Sequence, residues 1–235
     1  MTAPNAAPDY GSAVFAAWRR AAADEWQAYT RHAFVRGLGD GSLPSAAFLH
    51  YLVQDYVFLA NFARAWALGV VKAGDLEEMR AAAATVDALV NQEMAQHVNT
   101  CAAAGIPEKR LLAAEEEIEN LAYTRFVLDA GISGDFLDLL AALAPCVLGY
   151  GEIGAWLGDA ATDGTYAEWI DSYAASDYQA LCLSVGRLID RAAGARLGAA
   201  PQASPRWADL CQTFRTATRL EVAFWDMGLR GGSRG

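Results

Sequence analysis

Pro44-Ser45-Ala46-Ala47-Phe48-Leu49-His50-Tyr51-Leu52-Val53-Gln54-Asp55-Tyr56-Val57-Phe58-Leu59-Ala60-Asn61-Phe62-Ala63-Arg64-Ala65-Trp66 is the stretch that sets the fold class. Phe48, Tyr51, Leu52, Asp55, Leu59, Phe62 and Trp66 recur at three- and four-residue steps, which puts them on one face of a helix. Pro44-Ser45 opens this helix and Ala73-Gly74-Asp75 ends it. The run Leu49–Val71 carries His50, Asp55 and Arg64, so it reads as a buried helix rather than a membrane span.

The same period continues in both directions. Phe15, Trp18, Ala22, Trp26 and Tyr29 give an earlier stripe, broken by Gly37-Leu38-Gly39-Asp40-Gly41. Further helices are expected over about 75–103, 108–130, 135–157 and 175–193, with a short segment near Tyr166–Ser172. The Ala-, Gly- and Pro-rich stretch Gly194–Pro205 reads as a loop, and a last helix covers roughly Arg206–Leu229. Seven or eight helices and no alternating strand pattern predict one all-α helical domain over residues 1–235, with 1–10 and 230–235 as flexible ends.

Composition narrows the function. Of 235 residues, 54% are hydrophobic, which supports a large core and excludes a disordered chain. A formal charge of −10 leaves no electrostatic footprint for nucleic acid or an anionic membrane. No apolar leader is visible at the N-terminus, so a cytoplasmic location is expected. Cys101, Cys146, Cys182 and Cys211 form no CxxC pair, which predicts free thiols and no structural zinc. Glu93 and His97 stand four apart without a second such pair, so no metal or other cofactor is expected. His32 reads as a helix-end residue, with haem ligation as the alternative. No phosphate-binding glycine loop and no nucleophile elbow occurs.

Two acids fall on apolar stripes. Asp55 lies three residues after Leu52 and four before Leu59. Glu221 shares a face with Trp207, Cys211, Phe214, Thr218 and Trp225. A carboxylate in an apolar medium needs a partner or takes up a proton. Each therefore either caps or pairs at the core edge, or lines a polar pocket fit for acid–base work. Cys146 shares a stripe with Leu139, Leu143, Tyr150 and Leu157 and follows Pro145, which interrupts the helical ladder. It is either a small buried hydrophobe or a nucleophile. Tyr123, Tyr150 and Tyr173 lie near apolar stripes in three successive segments, as core packing or as pocket hydroxyls.

These positions coincide with a family pattern. His32-Ala33-Phe34-Val35, Leu38-Gly39-Asp40-Gly41-Ser42-Leu43 and Tyr51-Leu52-Val53-Gln54-Asp55-Tyr56 resemble the opening of the TenA/thiaminase II family. Ala144-Pro145-Cys146, Tyr150-Gly151-Glu152, Trp169-Ile170-Asp171-Ser172-Tyr173 and Glu221-Val222-Ala223-Phe224-Trp225-Asp226-Met227 continue it in order, from about Phe15 to Met227. The resemblance implies a haem-oxygenase-like helical bundle without haem, usually a homotetramer. It implies hydrolysis of aminopyrimidines in thiamine salvage: 4-amino-5-aminomethyl-2-methylpyrimidine to its hydroxymethyl analogue, and thiamine to hydroxymethylpyrimidine plus thiazole. Carried over by position, Cys146 is the nucleophile and Glu221 the acid/base. Asp55 holds the amino edge of the pyrimidine, and Tyr123, Tyr150, Tyr173 and Phe224 are pocket positions. Phe58 stands where many members have a pocket tyrosine, so a stacking surface remains and a hydroxyl is lost. Two other readings stay open: a thiamine- or pyrimidine-binding protein without catalysis, and a redox enzyme on the same scaffold like the quinone-cofactor synthases.

Overall fold

The computed structural model describes residues 8–158 and 164–231, and among them there are helices and no strands. The all-α expectation holds. In chain order the helices are α1 (Ala13–Ala21), α2 (Ala23–Thr30), α3 (Ala33–Asp40), α4 (Ser45–Lys72), α5 (Leu76–Ala88), α6 (Met94–Ala103), α7 (Glu108–Leu112), α8 (Ile118–Ser133), α9 (Phe136–Gly158), α10 (Ala167–Ala174), α11 (Ser176–Leu197) and α12 (Trp207–Gly231). A π turn, Leu89–Glu93, joins α5 to α6, and a 3-10 turn, Pro201–Ala203, precedes α12.

Helix α9 is the axis of the bundle. Apart from Asp138 and Glu152, its sequence FLDLLAALAPCVLGYGEIGAWLG is apolar on every side, as suits a helix packed on most of its faces. It is also long and apolar enough to cross a membrane, more so than α4, but 89% of that window is buried inside the bundle. Helices α2, α8, α10, α11 and α12 pack directly on it, and α4 lies across α5, α8 and α12. At Gly154 the α10 backbone at Tyr173 comes so close that any Cβ would collide with it. That contact presses Tyr173 toward the middle of the bundle.

Several boundaries differ from the periodicity, each for a tertiary reason. The first stripe splits at Ala22, where Arg215 of α12 donates to the Ala21 carbonyl and the chain leaves helical geometry. Gly37 and Gly39 do not break the chain. They lie within α3, where a Cβ on Gly37 would crowd Leu43 and one on Gly39 would strike Leu157. Only Gly41, at φ +74°, turns the chain. The stripe at 75–103 hides the π turn. The run 108–130 is two helices, because the buried Gln54 amide takes over the backbone between them. It donates to the Glu115 carbonyl (2.9 Å) and accepts from the Glu117 N–H (3.1 Å). Helix α11 extends through Leu197, four residues beyond its expected end. Helix α12 runs to Gly231, with Arg230 paired to Glu119, so the tail begins later than position 230. Tyr10, within the stretch expected to be flexible, is buried against Phe15. The remaining end residues, 1–7 and 232–235, lie outside the described residues.

Candidate active site

Cys146 sits on α9 one residue after Pro145, whose missing N–H removes one rung of the helical ladder. Around it opens a cavity of about 240 Å³. Asp55 of α4, Cys146 and Tyr150 of α9, and Tyr173 of α10 all line it, so the structure brings four of the eight candidate residues onto one wall. The remaining four, Phe58, Tyr123, Glu221 and Phe224, lie outside that lining and form a buried layer against it. Phe58 lies tilted against Tyr123 (ring centroids 4.9 Å) and edge-on to Phe224 (5.5 Å), and Phe224 meets Tyr51 edge-on at 6.2 Å. Glu221 nevertheless acts electrostatically on the Cys146 thiol, which sets this carboxyl beside the cavity.

Among the described residues the acids here have no cation. Glu221 is 2% exposed and accepts a hydrogen bond from the Tyr123 hydroxyl at 2.8 Å. Burial pushes its carboxyl up to about 8, with the Tyr123 hydrogen bond pulling the other way. Asp55 is 4% exposed and accepts from the Tyr51 hydroxyl at 3.2 Å; burial raises it to about 7. Tyr51 in turn meets the Tyr150 hydroxyl at 3.3 Å, which ties α4 to α9. The Cys146 thiol is held well above its ordinary value, first by burial and then by the charges of Glu221, Asp55 and Glu93. The resting site therefore stores a neutral thiol beside proton-bearing carboxyls.

Behind Asp55 stands His97 of α6. Its Nε2 lies 2.8 Å from the Leu52 carbonyl, so this nitrogen carries the proton and donates. Its Nδ1 is 3.8 Å from Asp55, too long for a hydrogen bond. Burial lowers the imidazole, which leaves it neutral and offers Asp55 no countercharge. His32 caps α3, accepting from the Phe34 N–H at 3.2 Å, and faces Asp226 at 3.3 Å. Among the described residues no group of three or more His, Cys, Asp and Glu is placed to hold a metal ion. All four cysteines are free.

Sequence reasoning passed over three participants. Glu93 enters the cavity only because of the π turn, and nothing in the periodicity marks that turn. Tyr51 and Tyr29 read as core aromatics. Yet Tyr51 holds Asp55, and the Tyr29 hydroxyl lies 3.4 Å from the Pro145 carbonyl, in the space that Gly149 leaves open. A tyrosine four residues before a buried aspartate on one helix face was the available signal for Tyr51.

Comparison with known proteins places the chain among relatives. The chain is 37% identical over 205 residues to the aminopyrimidine aminohydrolase of Halalkalibacterium halodurans, covering 86% of this chain and 89% of that one. It is 32% identical to the enzyme of the same name from Helicobacter pylori, covering 86% and 92%. A crystal structure from Silicibacter sp. TM1040, described as a TenA family transcription regulator, superposes with a TM-score of 0.91. It is 60% identical over 93% of this chain and 97% of that one. The TenA homologue of P. horikoshii gives a TM-score of 0.84 at 27% identity, covering 93% and 99%. Residues 19–231 match the TENA/THI-4/PQQC family model, and the chain belongs to that family.

Proposed function

We propose that the chain is a hydrolase of aminopyrimidines in thiamine salvage, acting on the bond between the exocyclic methylene and its amine or thiazolium substituent. The observation that carries this reading is a thiol and the buried carboxyl of Asp55 lining one small cavity, with the buried Glu221 near enough for its charge to act on the thiol. At about 240 Å³ the cavity falls below the roughly 300–1,000 Å³ of drug-sized pockets, which suits a small heterocyclic substrate. Aminopyrimidine aminohydrolases among its relatives support the same substrate class.

In this mechanism Asp55 accepts from the 4-amino group of the ring. Tyr150 and Tyr173, whose rings meet at 4.9 Å, supply the aromatic wall. The sulfur of Cys146 adds to ring carbon C6 while the Glu221 carboxyl gives its proton to the ring nitrogen. The thiol's own proton restores the carboxyl, so addition needs no external base. The electron-rich ring then expels the amine or thiazole from the methylene. Water adds there, and loss of the sulfur restores aromaticity. The same reading carries a cytoplasmic homotetramer. Exposed Val71, Leu112, Ile118 and Ile132 offer apolar surface for assembly, and light scattering on the purified protein measures it.

Incubation with 4-amino-5-aminomethyl-2-methylpyrimidine and, separately, with thiamine, followed by chromatography of the products, tests the activity. Release of hydroxymethylpyrimidine by the native protein and its loss in Cys146→Ala are expected. Failure of the native protein to convert either compound overturns the reading. One observation favours a second reading, ligand-controlled regulation: the 60%-identical structure is described as a transcription regulator. A net charge of −10 opposes direct contact with DNA. Pyrimidine binding without turnover would support this alternative.

A further inference from the structure

We propose that Glu93 is the subsite for the positively charged substituent carried on the substrate's methylene. The inference rests on the aminopyrimidine reading and adds a residue to it. Two observations and the geometry of the proposed substrate converge on this carboxylate.

The first is how it reaches the cavity. Ala81, Thr85 and Leu89 line the cavity at four-residue steps. In a continuous α-helix each such step drifts by about 40° around the axis, so Glu93 would be carried about 120° from Ala81. The π turn Leu89–Glu93, closed by the Met94 N–H on the Leu89 carbonyl, rotates less per residue and returns Glu93 to the cavity face. The second is its lack of partners. Glu93, half-buried at the cavity, makes no hydrogen bond and no ion pair among the described residues, and desolvation raises it to about 7. Elsewhere in the molecule the buried Glu78 and Glu152 each hold an arginine. Among the described residues no lysine or arginine lines this cavity.

The third is substrate geometry. With the amino group of C4 on Asp55 and C6 against Cys146, the substituent of C5 projects between those two residues. Glu93 lines the same cavity, its charge acts on Cys146, and it feels the charge of Asp55. An ammonium or thiazolium there completes the missing ion pair with a charge-assisted contact. The hydroxymethyl product is neutral and forfeits it, so the same carboxylate discriminates substrate from product.

Calorimetric titration in a Cys146→Ala background, which blocks turnover, reads this directly. The ligands are the aminomethyl and hydroxymethyl pyrimidines. Adding Glu93→Gln is expected to weaken the aminomethyl compound roughly ten- to hundredfold, the scale of a lost hydrogen bond to a charge. The neutral compound should change by less than about threefold. Glu93→Asp keeps the charge and should retain most of the discrimination, which guards against a purely structural effect. Equal weakening of both ligands, or no weakening of the cation, overturns the subsite while leaving hydrolysis by native protein intact. Binding of neither pyrimidine by Cys146→Ala, together with no hydrolysis by native protein, overturns the parent reading and the subsite with it.

Discussion

Two regions of the molecule bury carboxylates by opposite means. Glu78 is 1% exposed and receives both Arg196 guanidinium nitrogens, at 2.6 and 2.8 Å, and the Gly74 N–H at 2.6 Å. Glu152 is 3% exposed and accepts from the Trp26 indole at 2.9 Å, with Arg31 at 3.2 Å and Arg19 at 3.4 Å. Asp55 and Glu221 are as deeply buried, yet they are met by tyrosine hydroxyls, and the half-buried Glu93 by no partner among the described residues. A guanidinium keeps a carboxylate ionised and inert, whereas a phenol in a dry site leaves it close to taking a proton. The first arrangement holds helices together. The second prepares proton transfer, at a cost to the fold.

The contrast is sharpest in what removal does. Cys146→Ala and Glu221→Gln should each lower turnover by about two to four decades, with folding preserved; steady-state kinetics on the aminopyrimidine checks it. Glu78→Ala strands Arg196 and should cost about 3 kcal/mol, a fall of roughly 6–12 °C in Tm by calorimetry, with kcat per folded molecule unchanged. If Glu78→Ala instead abolished activity in folded protein, the division between the two regions would fail. Asp55→Asn should chiefly raise KM, by roughly ten- to hundredfold, as expected for the loss of a charged acceptor. Unchanged KM with halted chemistry would contradict an anchoring role.

A smaller effect lies in the pH dependence of stability. Asp55 at about 7, Glu93 at about 7 and Glu221 at about 8 bind protons in the fold that the unfolded chain releases near pH 4. Between those values the folded state holds more protons than the unfolded one, so stability falls as pH rises and levels off above about pH 8. Melting curves from pH 5 to 9 should show this decline. Glu221→Gln should flatten its alkaline part, and a slope unchanged by that substitution would contradict the assignment.

Much of this was legible in the amino acids. The stripe from Phe48 to Trp66 predicts α4, and an aspartate on that stripe marks a place where burial needs a reason. The ordered motifs carry Cys146 and Glu221. What periodicity cannot carry is an interaction decided by another element. Arg215 ends α1 from across the bundle, Gln54 splits a continuous helical pattern, and the π turn changes which side chains face inward without changing the residues' type. Likewise, the packing beside Glu221 depends on how three aromatic rings from α4, α8 and α12 settle against one another.

Gln54 stands next to Asp55 in the chain but grips the 113–117 segment and, through its backbone carbonyl, Asn120 at 2.8 Å. Adjacent residues on a helix point about 100° apart, so fastening one sets the bearing of the other. The aim of the aspartate is thus governed by a surface connector that never meets the ligand. Trimming or lengthening that connector would let α4 roll about its own axis, detuning pyrimidine grip with every cavity residue left in place.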